Sequence, residues 1–217
     1  MRLASLVAHF GRRAKALDLL SRRISSLPLS DFERERLACF AVLELSNLNA
    51  EWLRRYYVAV SMNEAVKLNG RRITIGRKHQ DIDEAIAFAI DKIVGSDAKL
   101  KWLAQKTRFL EPNWSAVNTL PRLASMLNFP DKNVVGTAIA AGRDAINTLR
   151  AARNFYAHRN IDTKLSVAGQ LNDMLHWGPF GLPSEEIFNC RVGAFSSLFS
   201  FWLDDGLRVN KEVCEAP

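Results

Sequence analysis

The stretch LACFAVLELSNLNAEWLRRYYVAV, residues 37–60, decides the fold class because its apolar residues recur with the period of an α-helix. The period is carried by Leu37, Phe40, Ala41, Leu48, Trp52, Tyr56 and Val60. Ser30 or Asp31, just upstream, can cap a helix N-terminus. The pattern predicts one long helix over about residues 31–66, which ends before a turn signal at Asn69-Gly70.

Helical patterns also occupy most of the remaining chain. An N-terminal helix is expected within the first residues, and Pro121 is expected to break the helix that contains it. The other predicted helices cover residues 81–94, 98–109, 114–128, 131–158, a segment near 163–177, and 190–212. The sequence contains no internal repeat and no linker. It therefore predicts one all-α domain over residues 1–217.

The composition predicts a soluble globular protein of a reducing compartment. Nearly half of the 217 residues are hydrophobic, with only 11 glycines and 7 prolines, which disfavours disorder. Cys39, Cys190 and Cys214 are odd in number and scattered, which disfavours a disulfide framework. No apolar run reaches the length of a membrane span. We therefore expect a cytoplasmic location and no membrane partner.

The basic segment KLNGRRITIGRKH, residues 67–79, is the densest run of positive charge in a chain of net charge +7. It contains five cations, with Lys67 at its start, and no acidic residue. The Ile73–Thr74–Ile75 triplet favours extended backbone, so a short basic hairpin or loop is predicted. Two interpretations stay open, a solvated surface loop and an RNA-backbone contact. The RNA-binding candidates are Arg71, Arg72, Arg77 and Lys78.

Two apolar seams compete within the helix predicted for residues 131–158. The first seam alternates spacings of four and three and contains Arg153; its members are Val135, Ile139, Gly142, Ile146, Leu149, Arg153 and Tyr156. The second seam turns Arg153 partly outward and follows Ala138, Ala141, Ala145, Leu149 and Ala152. An arginine on the first seam needs a carboxylate, a phosphate, a backbone carbonyl or solvent at an interface, because an unpaired buried charge is costly.

The end of this helix reads RNFYAHRN, residues 153–160, and it concentrates the candidate chemistry. Asn154 and His158 are four residues apart and share a helix face, whereas Arg153 and His158 are separated by roughly 140° on an ideal helix. Arg153 and His158 converge only through the length of arginine, a distorted helix end or a second copy of the helix. The alternative is a polar helix end, where cations such as His158 and Arg159 are favoured by the helix dipole.

The RNFYAH stretch resembles the R-x4-6-H motif of the HEPN superfamily, the all-α domains found in RNA-cutting toxins, phage-defence proteins and CRISPR-associated ribonucleases. Arg153 matches the family arginine, Asn154 the polar residue that typically follows it, and His158 the histidine. The resemblance implies a HEPN-like helical bundle that carries these three residues as its catalytic set. Asn160 stands where toxins silenced by nucleotide addition carry a tyrosine, so that form of regulation is not expected.

The resemblance further implies metal-independent cleavage of single-stranded RNA by a homodimer, with an antitoxin or defence-system protein as partner. Tyr156 and Arg159 are secondary RNA-contact candidates at the same cleft. No cofactor and no metal are expected, and the histidines outside the motif, His9, His79 and His176, show no metal-ligand spacing. The alternative function is a catalytically inactive HEPN-like module that binds a protein partner or a nucleotide.

Overall fold

The computed structural model describes residues 2–76, 78–159, 161–175, 183–189 and 191–215. Within these ranges the secondary structure is helical, which confirms the all-α prediction. A 3₁₀ turn, Arg108–Leu110, follows the fourth helix. The α-helices are α1 (Leu3–Ser26), α2 (Asp31–Ser61), α3 (Ile82–Ile93), α4 (Ser96–Gln105), α5 (Thr119–Met126), α6 (Lys132–Ala141), α7 (Arg143–His158), α8 (Ile161–Leu175), α9 (Pro183–Asn189) and α10 (Leu198–Glu215).

The first of two compact units is built around aromatic rings and the helix pair α3 and α4. This unit comprises Met1–His9, Asn49–Ala141 and Asn210–Pro217. The ring of Tyr57 in α2 packs against Trp114 and Phe129, with ring centroids 5.3 and 6.4 Å away. Its hydroxyl donates to the carbonyl oxygen of Ala85 in α3 at 2.9 Å, so the buried phenol is satisfied while its ring fills the core.

Residues 65–73 form a hairpin, one of the two forms, hairpin or loop, that the sequence predicts for the basic segment, and they belong to the first unit. The backbone N–H of Lys67 donates to Arg71 O at 2.9 Å, and that of Ile73 donates to Ala65 O at 2.9 Å. Asn63, with a left-handed φ of 59°, anchors the hairpin by exchanging two side-chain hydrogen bonds with the backbone of Ile75. The side chains of Ile73 and Ile75 are buried, so alternate residues of the hairpin face the core.

The second unit comprises Phe10–Leu48 and Gly142–Val209. Phe199 in α10 stacks on Phe188 in α9 with centroids 4.9 Å apart. Trp202 Nε1 donates to Thr148 Oγ1 at 2.8 Å, and the same hydroxyl donates to the carbonyl oxygen of Asp144 at 2.6 Å. These bonds satisfy the polar atoms of a buried indole and hydroxyl, and they hold the middle of α7 against α10.

One predicted helix, over residues 131–158, is wrong as a single element, because the structure divides it into α6 and α7 at Gly142. The Asp205 carboxylate of α10 occupies the space that a Cβ at Gly142 would need. Glycine alone leaves room for that approach. The break ends the first predicted seam, and the buried face of α7 includes Ala145, Leu149 and Ala152 of the second seam.

The other helices differ from their predicted bounds at one or both ends. The long helix ends at Ser61 and not near residue 66. Pro121 does not break a helix; α5 begins at Thr119, which places the proline in the first turn, where its missing N–H costs no hydrogen bond. The last helix begins at Leu198, where the Ser197 and Ser200 hydroxyls each accept from the other residue's backbone N–H. Cys190 lies outside the described residues.

Candidate functional site

His158 is the last residue of α7 and is exposed to solvent. The helix ends there because Arg159 takes a left-handed conformation, with a φ of 48°, and donates its backbone N–H to Phe155 O at 2.6 Å. His158 therefore lies at a polar helix end, which is the position that the alternative interpretation of the sequence expects. An exposed imidazole at a helix end is also free to meet a ligand.

Arg153 and Asn154 lie about one turn before His158 and are both partly buried. Arg153 Nη1 donates to Asn154 Oδ1 at 3.3 Å. Among the described residues no hydrogen bond joins Arg153 to His158. The structure therefore brings the arginine and the asparagine of the motif together within one chain, and places the histidine at the exposed end of the helix.

Tyr156 is a packing residue in this structure and not an exposed contact. It is 4 % exposed, and its ring lies edge-on to Phe155 with centroids 5.1 Å apart. Burial raises the pKa of Tyr156, and the nearby Glu35 carboxylate raises it further. The phenol therefore stays protonated, and we withdraw Tyr156 from the RNA-contact candidates. Arg159 is exposed and remains one.

Glu35 is the residue near the motif that the sequence analysis missed. Its carboxylate accepts the backbone N–H of Ser184 at 2.8 Å, at the start of α9, and it also influences Tyr156 of α7. An acidic residue within the charged run DFERER is typical of a solvated helix start, so no signal in the sequence distinguishes it. Glu35 therefore holds the start of α9 through Ser184 and lies close enough to Tyr156 of α7 to affect its pKa.

Lys67 differs from the other cations of the basic segment, because it is buried and therefore cannot contact RNA at the surface. It is 2 % exposed, and its Nζ lies 3.2 Å from Asp131 Oδ2, which also accepts the Tyr56 hydroxyl at 3.0 Å. We call Lys67, Asp131, Tyr56 and the adjacent Cys214 the buried cluster. Burial raises the pKa of the Cys214 thiol to about 12, and the Asp131 carboxylate contributes to the rise, so the thiol is neutral and unreactive near pH 7.

The remaining cations of the basic segment keep their predicted exposure where the structure describes them. Arg71, Arg72 and Lys78 are exposed, and Arg77 lies outside the described residues. The basic segment belongs to the first unit and the RNFYAHRN motif to the second. Contact of the basic segment with an RNA backbone stays a prediction.

His79, Glu84 and the other potential metal ligands do not assemble into a cluster in the described part of the chain, where no group of three or more His, Cys, Asp or Glu side chains is placed to hold a metal ion. His79 is buried against Phe88, with ring centroids 5.1 Å apart, and its Nδ1 lies 3.5 Å from Glu84 Oε1. His176 is outside the described residues. No described helix is both long and apolar enough to cross a bilayer.

No protein-family model, curated protein or solved structure matches this chain.

Proposed function

We propose that this chain is a HEPN-like endoribonuclease that cleaves single-stranded RNA without a metal ion and acts in the cytoplasm as a toxin or phage-defence effector. One observation carries the proposal: the motif histidine, His158, is exposed at the end of α7, one turn beyond the joined pair Arg153 and Asn154. A general acid or base must be accessible to substrate, and a phosphate-binding arginine must be held in position.

The chemistry needs two proton transfers and one centre of positive charge. A base removes the proton of a ribose 2′-hydroxyl, the oxygen attacks the adjacent phosphorus, and the 5′-oxygen leaves with a proton from an acid. The products are a 2′,3′-cyclic phosphate and a 5′-hydroxyl end. Imidazole serves either transfer near neutral pH. The Arg153 guanidinium suits the charge that builds on the phosphoryl oxygens, and Asn154 orients it through its hydrogen bond.

A homodimer completes the site in this proposal. Arg153 and His158 are on different sides of one helix end, and each chain supplies a single motif imidazole for two proton transfers. A two-fold axis beside α7 brings two copies of the motif to one cleft. Exposed apolar side chains directly after the motif, Ile161 and Leu165 of α8, support an interface on this side of the second unit.

The decisive experiment combines product chemistry with the matched variants Arg153→Ala, His158→Ala and, as a control on the same helix, Arg150→Ala. Purified wild-type protein is expected to cut RNA in excess EDTA and to leave 2′,3′-cyclic phosphate ends. Either motif substitution should abolish cutting, while Arg150→Ala cuts normally. Cutting that stops in EDTA and returns with magnesium would overturn the mechanism. Expression of the wild type, and not of His158→Ala, should arrest growth and degrade total RNA.

The second candidate function is a catalytically inactive module that binds a protein partner or a nucleotide. One observation favours it: within one chain Arg153 bonds to Asn154 and not to His158. Two measurements distinguish the two functions: the mass of the protein in solution and the cleavage assay. A dimer that cuts RNA supports the ribonuclease. A monomer that cuts no RNA supports the inactive module, and a monomer that cuts RNA contradicts the shared site.

A further inference from the structure

A groove in the second unit is lined by side chains of α1 and α10, and we call it the α1–α10 groove. Its volume is about 350 Å³, which lies at the lower end of the range that small-molecule sites occupy. Its walls include Ala14, Lys15, Phe195, Leu203, Asp204 and Leu207, all of which belong to the second unit. It contains no residue of the RNFYAHRN motif and no residue of the buried cluster.

The deeper part of the α1–α10 groove is apolar. Ala14 and Leu203 are buried, and Leu207 is 39 % exposed. The ring of Phe195 packs against Phe201, with centroids 5.4 Å apart. The groove can therefore take up a small apolar group, because contact with these side chains removes apolar surface from water on both sides.

The polar side chains of the groove divide into two that are engaged within the protein and two that are open. Asp18 accepts from Arg22 Nε at 3.0 Å, and Ser200 takes part in the cap of α10. Lys15 and Asp204 have no ion-pair partner and no side-chain hydrogen-bond partner among the described residues. They line the same groove but are too far apart to pair with each other. The groove therefore offers one open cation and one open carboxylate on two different helices.

This combination of charges selects the class of ligand. A nucleotide or an RNA strand is disfavoured, because Asp18 and Asp204 place two carboxylates beside a single lysine. A fatty acid would leave Asp204 without a counter-charge, and an alkylamine would leave Lys15 without one. A free amino acid carries an ammonium and a carboxylate on one carbon atom, together with a side chain that can be apolar.

We propose that the α1–α10 groove binds a free α-amino acid with an apolar side chain. The carboxylate of the ligand pairs with Lys15, and its ammonium pairs with Asp204. Its side chain lies against Leu203, Leu207 and Phe195. Because Lys15 and Asp204 are exposed to solvent, each ion pair contributes little, and the dissociation constant is expected to be on the order of 1 mM. The proposal is independent of the ribonuclease function.

The test is a titration of the isotope-labelled full chain with L-leucine, followed by NMR. Backbone amide signals of α1 and α10 are expected to shift and to saturate. Three further probes each lack one part of leucine: glycine lacks the apolar side chain, isocaproate lacks the ammonium, and isoamylamine lacks the carboxylate. Each is expected to bind roughly threefold to fivefold more weakly than leucine, since each loses one of the proposed contacts.

Two conservative substitutions assign the charges of the ligand to their partners. Lys15→Gln should weaken the binding of leucine and of isocaproate by roughly threefold to fivefold, and it should not weaken the binding of isoamylamine. Asp204→Asn should weaken the binding of leucine and of isoamylamine, and it should not weaken the binding of isocaproate.

A steric variant tests the location of the site. Gly11 lies in the wall of the groove, and a Cβ added there meets nothing within 4 Å. Gly11→Phe should therefore place a ring in the groove without displacing neighbouring atoms, and leucine binding should be lost. The matched control is Gly136→Phe in α6, where an added Cβ also meets nothing within 4 Å and which is not part of the groove. It should bind leucine as the wild type does.

The outcomes decide the proposal as follows. If leucine shifts no signal of α1 or α10, or if Gly11→Phe binds leucine as the wild type does, the proposal is overturned. If isocaproate or isoamylamine binds as tightly as leucine, the groove is a site for a fatty acid or an amine, and the proposal is also overturned. Leucine binding that needs Lys15, Asp204 and the open space at Gly11 supports it, whether or not the chain cuts RNA.

Discussion

Lys67 of the basic segment and His158 of the motif occupy opposite environments, although each belongs to a run of basic and polar residues in the sequence. Lys67 is enclosed in the buried cluster of the first unit, where its ammonium faces the Asp131 carboxylate. His158, in the second unit, ends α7 in solvent. The difference shows that a run of charge does not reveal which of its members hold the fold and which remain available for a ligand.

The largest expected effect on stability comes from Asp131→Ala. This substitution leaves the Lys67 ammonium in a buried site without its carboxylate and removes the acceptor of the Tyr56 hydroxyl, so we expect a loss of about 3–5 kcal/mol in the free energy of unfolding. Urea denaturation measures it. The control is Asp97→Ala in α4, an exposed position, which should change stability by less than about 0.5 kcal/mol.

A double substitution sharpens the interpretation of the buried cluster. Lys67→Met combined with Asp131→Leu removes both charges, so its loss of stability should be smaller than the sum of the two single losses. Additive losses would mean that the two side chains act independently, which contradicts a stabilising ion pair between Lys67 and Asp131.

The next effect concerns the start of α7. Gly142→Ala should lower the free energy of unfolding by about 1–3 kcal/mol, because the added methyl group displaces the Asp205 carboxylate. Gly136→Ala in α6 is the matched control: its Cβ meets nothing within 4 Å, so it should stabilise the protein by roughly 0.5–1 kcal/mol. Equal effects at the two glycines would show that helix propensity, and not the contact with Asp205, requires Gly142.

A smaller effect is expected in the basic segment, where Arg71, Arg72, Arg77 and Lys78 are replaced together by serine. RNA binding at low salt should weaken, and the slope of log K against log salt should fall by about 0.7 for each phosphate that the variant no longer neutralises. Single-turnover cleavage at saturating RNA should stay close to that of the wild type, since these residues do no chemistry. Unchanged binding over the whole salt range would favour the solvated-loop interpretation.

The smallest expected change in stability belongs to His158. Because its imidazole is exposed, His158→Ala should shift the free energy of unfolding by no more than about 0.5 kcal/mol. The same substitution should lower the cleavage rate by at least about a hundredfold. Loss of activity accompanied by loss of stability would assign His158 to the fold and not to catalysis.

The sequence predicted the helical class and the approximate position of most helices, because periodic apolar residues must face a core in any helical protein. It also predicted a hairpin or loop at residues 67–79 from Asn69-Gly70 and the adjacent β-branched residues, without deciding between the two. The end of α7 was predicted as well, since cations and polar residues collect at helix C-termini. These features depend on neighbours along the chain, which the sequence displays directly.

The sequence did not predict features that depend on distant residues. The close approach at Gly142 involves Asp205, more than sixty positions later, and the buried ammonium of Lys67 is paired with Asp131. The role of Glu35 depends on Ser184 in the same way. Within α7 the sequence did not decide between the two seams. The buried face contains alanines, whose small side chains allow close packing of helices but contribute little to a hydrophobic pattern.

The backbone conformation of Arg159 has a consequence for engineering the protein. Its φ of 48° is one that glycine adopts freely, whereas an L-residue with a side chain is strained there by roughly 1–2 kcal/mol. Arg159→Gly therefore offers a route to greater thermal resistance, at the position where a cation stands directly beside His158. If the Arg159 guanidinium binds RNA, this residue lowers thermal stability and raises affinity for RNA. Selection for heat tolerance would then favour glycine at this position and reduce activity.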